Sequence, residues 1–212
     1  MAQGPLLLLL FTCVTAFAAD AQAVLERVAT AQRAHTTVQG SLTRQVSRLD
    51  DPATPPRISK IRFMVQFPDS YNLLLTDPKD PELRHGFRSD GRRRWEVVQS
   101  IADVPPDVKT AAVGEGDELP RRLIRALRLD LVELRRDFRI ETRTVDGALT
   151  VTLTPLAAEL AADLSVLVID FGADDRPRRV VMDDPQGNRN ELTVDEVQFD
   201  QPIDPAVFRW GP

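Results

Sequence analysis

The sequence predicts an α+β fold: a strongly curved antiparallel β-sheet, forming an incomplete barrel, with helices covering its concave apolar face. Much of the chain alternates apolar and polar residues with a period of two, which is typical of half-buried strands. Turn sequences such as Asp90-Gly91 separate these strands, so neighbouring strands are expected to pair as hairpins. Two amphipathic helices are available to cover the apolar face of the resulting sheet.

The first half of the chain is predicted to hold one helix and five strands. Residues 20–34 form the helix, because Asp20 can cap it and apolar residues then recur at helical spacing. The strands follow, and the turn at Pro68-Asp69 separates two of them. Their apolar positions are Val38, Leu42 and Val46, then Ile61, Phe63, Val65 and Phe67, then Tyr71, Leu73 and Leu75, then Phe87, and then Trp95 and Val97.

The second half is predicted to begin with a loop over residues 101–116, which contain Pro105-Pro106 and two glycines. A second helix begins at Asp117, with an apolar stripe from Leu119 to Leu134. Its arginines are interpreted as a solvated face, with a contact to anionic lipid or to a partner as the alternative. Further strands are expected over 138–144, 149–153, 164–171, 178–183 and 191–199, and the predicted total is about nine.

The N-terminal residues 1–18 are predicted to be a cleavable signal peptide. The apolar run before Ala18 is too short for a membrane-spanning helix, which needs about 20 apolar residues. Cleavage is expected after Ala18, with Ala23 as the alternative, and residues 19–212 then form a single domain. A buried N-terminal helix is the other interpretation, because no Lys or Arg precedes the run.

The chain carries one cysteine, Cys13, which lies inside the predicted signal peptide. Lipidation would require small residues before it, and Phe11 and Thr12 stand there instead. After cleavage, the mature chain has no cysteine for disulfides, thiol catalysis or metal binding. The net charge of −5 argues against nucleic-acid binding, which needs a basic face. The expected location is the periplasm.

Enzyme motifs are absent from the sequence. His35 and His85 lack metal-ligand spacing, and there is no GxSxG, HExxH or phosphate-binding glycine loop. The pairs Asp174-Asp175 and Asp183-Asp184 would point to opposite faces if they lie on strands. The sequence therefore predicts no enzyme, no metal and no cofactor. The remaining candidate for a functional site is the apolar surface between the sheet and the second helix. This surface is either a packed core or a cavity that could hold an acyl chain.

A series of short motifs runs along the chain in a fixed order. In sequence order they are the Gly40-containing strand, Phe67-Pro68-Asp69-Ser70-Tyr71, Ser89-Asp90-Gly91-Arg92-Arg93-Arg94-Trp95, Leu153-Thr154-Pro155, Asp184-Pro185-Gln186-Gly187-Asn188 and Pro202-Ile203-Asp204-Pro205-Ala206-Val207-Phe208. Each motif is weak alone, but their order and spacing cover nearly the whole mature chain. In this respect the chain resembles the periplasmic outer-membrane lipoprotein carrier proteins (LolA-type).

The resemblance implies an incomplete barrel closed by helices and a function in carrying acylated proteins through the periplasm. Members take cargo from an inner-membrane lipoprotein-extracting transporter, pass it to an outer-membrane acceptor and hydrolyse nothing. The chain is accordingly expected to be a monomeric carrier, or chaperone, for lipoproteins or a related lipid, with no nucleic-acid partner. By resemblance, the cavity-lining candidates are Phe63, Val65, Phe67, Tyr71, Leu73, Trp95, Leu123 and Leu127.

Two departures from the family pattern stand out. Well-studied carriers have an arginine before the hairpin proline that helps to hold the lid shut, and here that position is Phe67. Arg44 is the candidate lid contact in its place, with a guanidinium that extends to water as the alternative. The chain also stops at Trp210-Gly211-Pro212, without the C-terminal segment of some carriers. A LolA-like lipid-sensing or regulatory binding protein is therefore the alternative function.

Overall fold

An antiparallel sheet of eleven strands dominates the part of the chain that the structure, a computed structural model, describes: residues 21–99, 104–113, 124 and 126–211. The strands are β1 (Thr37–Arg48), β2 (Arg57–Gln66), β3 (Ser70–Asp77), β4 (Asp80–Asp90), β5 (Arg93–Gln99), β6 (Asp107–Ala112), β7 (Phe138–Val145), β8 (Ala148–Pro155), β9 (Val166–Phe171), β10 (Pro177–Asp183) and β11 (Asn188–Phe199). The predicted signal peptide and Leu123 lie outside the described residues.

The helices are short and lie between or beside the strands. Helix α1 spans residues 21–34, in agreement with the predicted first helix. Residues 124, 126 and 127 are also helical. Helix α2 spans Leu131–Asp137, α3 spans Ala158–Ala161, and a 3-10 helix spans Pro205–Phe208. Within the described residues, no helix combines the length and the apolar character needed to cross a bilayer.

The strand order is β6-β5-β4-β3-β2-β1-β11-β10-β9-β8-β7, and every neighbouring pair is antiparallel. Strands β1 to β6 form one series of hairpins and β7 to β11 form another. The pairing of β1 with β11 joins the two series at the centre of the sheet. Strands β6 and β7 form its two edges, so the curved sheet does not close. The predicted fold class is confirmed.

Gly40 allows the central pair β1–β11 to approach closely. The register of this pair shifts between Ser41 and Leu42, which marks a bulge. A Cβ atom at Gly40 would overlap the backbone carbonyl group of Glu196. The glycine is therefore required by backbone contact and not by an unusual φ angle.

The main core fills one half of the helix-covered face of the sheet. Leu25 and Val28 of α1 and Leu134 of α2 pack there against the strands from β7 to β11. The strand residues Leu149, Val151, Leu153 and Ile169 are at most 1% exposed. This half is a close-packed hydrophobic core.

Two local predictions were wrong. Residues 107–112, expected in a loop, form edge strand β6, because they pair with β5 although their sequence hardly alternates. The second helix was expected to continue to Leu134, but it stops before Leu129, whose φ is +52°. Asp130 then starts helix α2, since its carboxylate accepts hydrogen bonds from the backbone N–H groups of Val132 and Glu133.

Candidate lipid-binding face

Strands β2, β3 and β4 align a group of apolar side chains on the helix-covered face. Val65 is paired with Tyr71, and Phe63 is paired with Leu73. Leu73 is in turn paired with Phe87 of β4. Because residues two apart on a strand share a face, these side chains form one continuous surface. We call this surface the N-terminal apolar face, and it comprises Val38, Phe63, Val65, Phe67, Tyr71, Leu73 and Phe87.

The N-terminal apolar face is less completely covered than the main core. Val65 and Tyr71 are buried, and the helical residue Ile124 packs against them. Val38, Phe63, Phe67, Leu73 and Phe87 around them are only partly buried. The same side of the sheet is therefore tightly packed in one half and leaves apolar surface in contact with water in the other.

A cavity of about 250 Å³ adjoins this face toward strands β5 and β6. Its walls include Tyr71 and Phe87, but also Arg94, Glu96 and Lys109. This end is therefore mixed in character, with charged groups beside two aromatic rings. Such a boundary suits an amphiphile with an apolar and a polar part.

The structure brings together five of the eight predicted cavity residues: Phe63, Val65, Phe67, Tyr71 and Leu73. Leu127 packs against the main core instead. Trp95 is paired with Arg88, and Arg88 is paired with Asn72. Because Asn72 and Tyr71 are adjacent on β3, Trp95 lies on the opposite face of the sheet from Tyr71. Trp95 nevertheless borders the 250 Å³ cavity.

Phe67, which replaces the family's arginine, is itself contacted by an arginine. The guanidinium carbon of Arg128 lies 4.9 Å from the centroid of the Phe67 ring. Arg128 lies four residues after Ile124, the helical residue that packs on the N-terminal apolar face, and its Nε is buried without a hydrogen-bond partner among the described residues. The Arg128 guanidinium and the Phe67 ring therefore form a cation–π contact.

Arg44 also lies on the helix-covered face, further along β1 than Val38 of the N-terminal apolar face. It is paired with Ser59 of β2 and with Leu192 of β11. Its Nε donates a hydrogen bond of 2.9 Å to the side-chain carbonyl oxygen of Asn190. Burial lowers the pKa of Arg44, and the positive charge of Arg57 lowers it further. The described residues give Arg44 a neutral partner and no ion pair, and its role as a lid contact stays a prediction.

The two histidines are hydrogen-bonded to different carboxylates. Nδ1 of His35 is 2.7 Å from a carboxylate oxygen of Asp200, and the imidazole stacks on Phe199 at 4.0 Å. The hydrogen bond from His35 lowers the pKa of Asp200 to about 2, and the N–H of Thr36 contributes. His85 is 2.8 Å from a carboxylate oxygen of Glu96. No group of three or more His, Cys, Asp or Glu side chains with metal-binding geometry occurs among the described residues.

Sequence reasoning missed Phe87 and Ile124 as members of the site. Phe87 alternates with His85 and Ser89, so its position on the apolar face followed from the pairing of β3 with β4. Ile124 lies outside the leucine stripe that the helical spacing emphasised. Periodicity alone could not show which side of that helix would meet the sheet.

An open antiparallel sheet with helices over a partly covered apolar face has the architecture of the lipoprotein-carrier class of α+β proteins. The family model described as "Outer membrane lipoprotein carrier protein LolA" matches residues 99–210, and the chain belongs to this family. Its members are periplasmic carriers and not enzymes.

Three solved structures are similar to this chain in fold. A LolA superfamily protein from Nitrosomonas europaea has a TM-score of 0.47 at 11% identity, covering 90% of this chain and 97% of that one. Lipoprotein LppX from Mycobacterium tuberculosis has a TM-score of 0.47 at 14% identity, with coverage of 86% and 98%. LprF from Mycobacterium bovis has a TM-score of 0.44 at 14% identity, with coverage of 87% and 95%. No curated protein matches this sequence.

Proposed function

We propose that this protein is a periplasmic carrier that holds the acyl chains of a lipoprotein, or of a related lipid, against the N-terminal apolar face during transfer toward the outer membrane. The observation that carries the proposal is the contrast between the two halves of the helix-covered face. Phe63, Leu73 and Phe87 are only partly buried, whereas Leu149, Val151 and Ile169 at the centre of the main core are at most 1% exposed. Family membership supports the same conclusion.

The energetics of acyl-chain binding suit such a partly covered surface. Each CH₂ group moved from water into an apolar site contributes about 0.8 kcal/mol. A chain of ordinary length could therefore be held strongly by contact with a few aromatic and aliphatic side chains. Because the face is not filled by the protein's own side chains, a ligand can occupy it without displacing the main core.

The residues proposed to contact the acyl chain are the five that the structure brings together, with Phe87 and Ile124 added. Trp95 and Leu127 are proposed to contribute from the neighbouring cavity wall and from the adjoining core. Arg94 and Lys109 line the mixed end of the cavity near Tyr71. We propose that this end receives the polar part of the cargo, because the apolar face offers it no polar partner.

In this proposal, residues 1–18 are the signal peptide that directs export of the carrier across the inner membrane. We propose that cleavage after Ala18 releases it into the periplasm as a monomer. An inner-membrane lipoprotein-extracting transporter would then load it and an outer-membrane acceptor would unload it. A lipid tether at Cys13 would be incompatible with such movement between two membranes.

Native mass spectrometry of the mature protein, loaded with a synthetic triacylated lipopeptide, tests this function. We expect a complex with one lipopeptide per chain, and a marked loss of that complex in Phe63→Ser and Leu73→Ser. The matched control is Val132→Ser, which removes an apolar side chain that is 78% exposed on α2 and should bind as the wild type does. Protein that stays bare under lipid loading would contradict the proposal.

A further inference from the structure

A second cavity, of about 330 Å³, lies on the outer face of the same strands, opposite the N-terminal apolar face. Leu74 of β3, Gly86 of β4 and Val97 of β5 are paired in one row across its floor. Met64 of β2 and Trp210 after the 3-10 helix add apolar surface. We call this cavity the outer pocket.

The outer pocket exists because Gly86 on its floor has no side chain. A Cβ atom built there would meet the carbonyl oxygen of Leu73 at 3.7 Å and Cβ of Val97 at 3.8 Å, which are ordinary contacts. The backbone would therefore accept a larger residue at this position, and its side chain would enter the outer pocket. The pocket is thus a feature of one residue choice and not a requirement of the sheet.

The outer pocket is strongly basic on a chain whose net charge is −5. Arg62, Arg84 and Arg88 line it, and no acidic residue does so among the described residues. Arg62 and Arg84 form no ion pair with any carboxylate in the described ranges, whereas the nearby Lys60 is paired with Asp195. Three guanidinium groups around an apolar floor provide charge complementarity for an anionic ligand.

The wall formed by Trp210 is held in place by the strands. The side-chain N–H of Asn72 donates to the carbonyl oxygen of Val207 at 2.9 Å. Arg88 donates to the carbonyl oxygen of Arg209 at 2.8 Å, and its guanidinium lies 5.0 Å from the centroid of the Trp210 ring. Burial lowers the pKa of Arg88, consistent with a group partly withdrawn from water. The pocket is therefore preorganised.

We propose that the outer pocket is a docking site for a protein segment in which an apolar side chain is flanked by carboxylates. The apolar side chain would fill the space over Gly86, and the arginines would bind the carboxylates, whose geometry matches the planar guanidinium. Tryptophan and arginine are the side chains that most often dominate the energy of such interfaces. The side-chain oxygen of Asn72, whose amide nitrogen donates to Val207, also lines the pocket and can accept a hydrogen bond from a peptide N–H, which a hydrocarbon chain does not offer.

Fluorescence anisotropy with a labelled peptide, phenylalanine flanked by two aspartates on each side, tests this site on the full mature protein. We expect saturable binding that weakens as salt is added. Gly86→Val should weaken binding at least about tenfold by filling the pocket, and Arg62→Gln with Arg84→Gln should do the same by removing charge. Arg143→Gln, an exposed arginine on β7, is the matched control and should bind normally.

Three results would overturn the proposal: no binding of the acidic peptide, equal binding of a peptide with lysines in place of the aspartates, or binding unchanged in both pocket variants. Loss of binding to anionic phospholipid vesicles in these variants, without any peptide binding, would assign the pocket to lipid instead. A thermal unfolding midpoint of Gly86→Val equal to that of the wild type shows that the sheet is intact, and Gly86→Ala serves if it is not. Lipopeptide loading should be unaffected by Gly86→Val, so this test is independent of the carrier function.

Discussion

The guanidinium of Arg128 lies over the ring of Phe67, 4.9 Å from its centroid, and joins the segment covering the sheet to the turn between β2 and β3. The resemblance leads us to expect an arginine at the position of Phe67, and in this chain the arginine of the pair lies on the helical side instead. We interpret this pair as the contact that holds Arg128 and the nearby Ile124, which together we call the cover, over the N-terminal apolar face.

A double-mutant cycle with Phe67→Leu and Arg128→Met should give a coupling free energy of about 0.5–2 kcal/mol, because only the pair together makes the cation–π contact. Urea unfolding of the four proteins measures it. Both variants should also take up a fluorescent acyl probe faster than the wild type, since the cover opens more readily. Strictly additive effects on stability, with uptake unchanged, would show that the contact does not hold the cover.

Gly40→Ala should destabilise the protein by about 1–3 kcal/mol or more, because the added Cβ would overlap the backbone of Glu196 at the centre of the sheet. Gly86→Ala is the matched control: it also adds a methyl group to a strand glycine, but at ordinary contact distances. Thermal unfolding compares the two. Equal midpoints would show that β1 and β11 separate without loss of stability.

Asp200→Asn should make the protein less sensitive to acid. The pKa of Asp200 is lowered to about 2, below its ordinary value of 3.8, so its ionised form is preferred in the folded state. The stability it contributes is therefore present above about pH 4 and is lost as the pH falls from about 4 to about 2. Urea midpoints at pH 5 and pH 2.5 should differ less for the variant than for the wild type. Asp163→Asn, at an exposed position, should retain the wild-type difference, and an identical difference in Asp200→Asn would refute the assignment.

Asp130→Ala should reduce the free energy of unfolding by about 1 kcal/mol, because it removes the side-chain cap of helix α2. Asp130→Asn keeps a capping oxygen and should remain close to the wild type. Denaturant unfolding distinguishes the two substitutions. A loss of the same size in both would mean that the charge, and not the cap, is what matters at this position.

The sequence was sufficient where structure is set locally. Alternation placed Phe63 and Val65 on one face of their strand and Tyr71 and Leu73 on one face of the next strand, because the period of a strand follows from its backbone alone. The turn at Asp90-Gly91 was equally predictable, and Gly91 adopts a φ of +84°.

What the sequence could not predict depends on partners distant along the chain. Strand β6 is formed by pairing with the edge of β5, which its own sequence hardly encodes. The break at Leu129 is stabilised by complete burial of that side chain in the core, a tertiary effect that outweighs helix propensity. The register of β4 with β5 determines the face on which Trp95 lies. The same register determines on which face of the sheet the missing side chain of Gly86 leaves the outer pocket.

Photo-crosslinking of a bound acyl chain tests the central claim most directly. A lipopeptide with a diazirine near the end of one acyl chain is loaded onto the mature protein, irradiated, and the modified residues are mapped by mass spectrometry. The carrier function predicts crosslinks on the N-terminal apolar face, at Phe63, Leu73 and Phe87, which an excess of unlabelled lipopeptide suppresses. Crosslinks confined to the outer face around Leu74 and Val97, or none that the competitor suppresses, would contradict it.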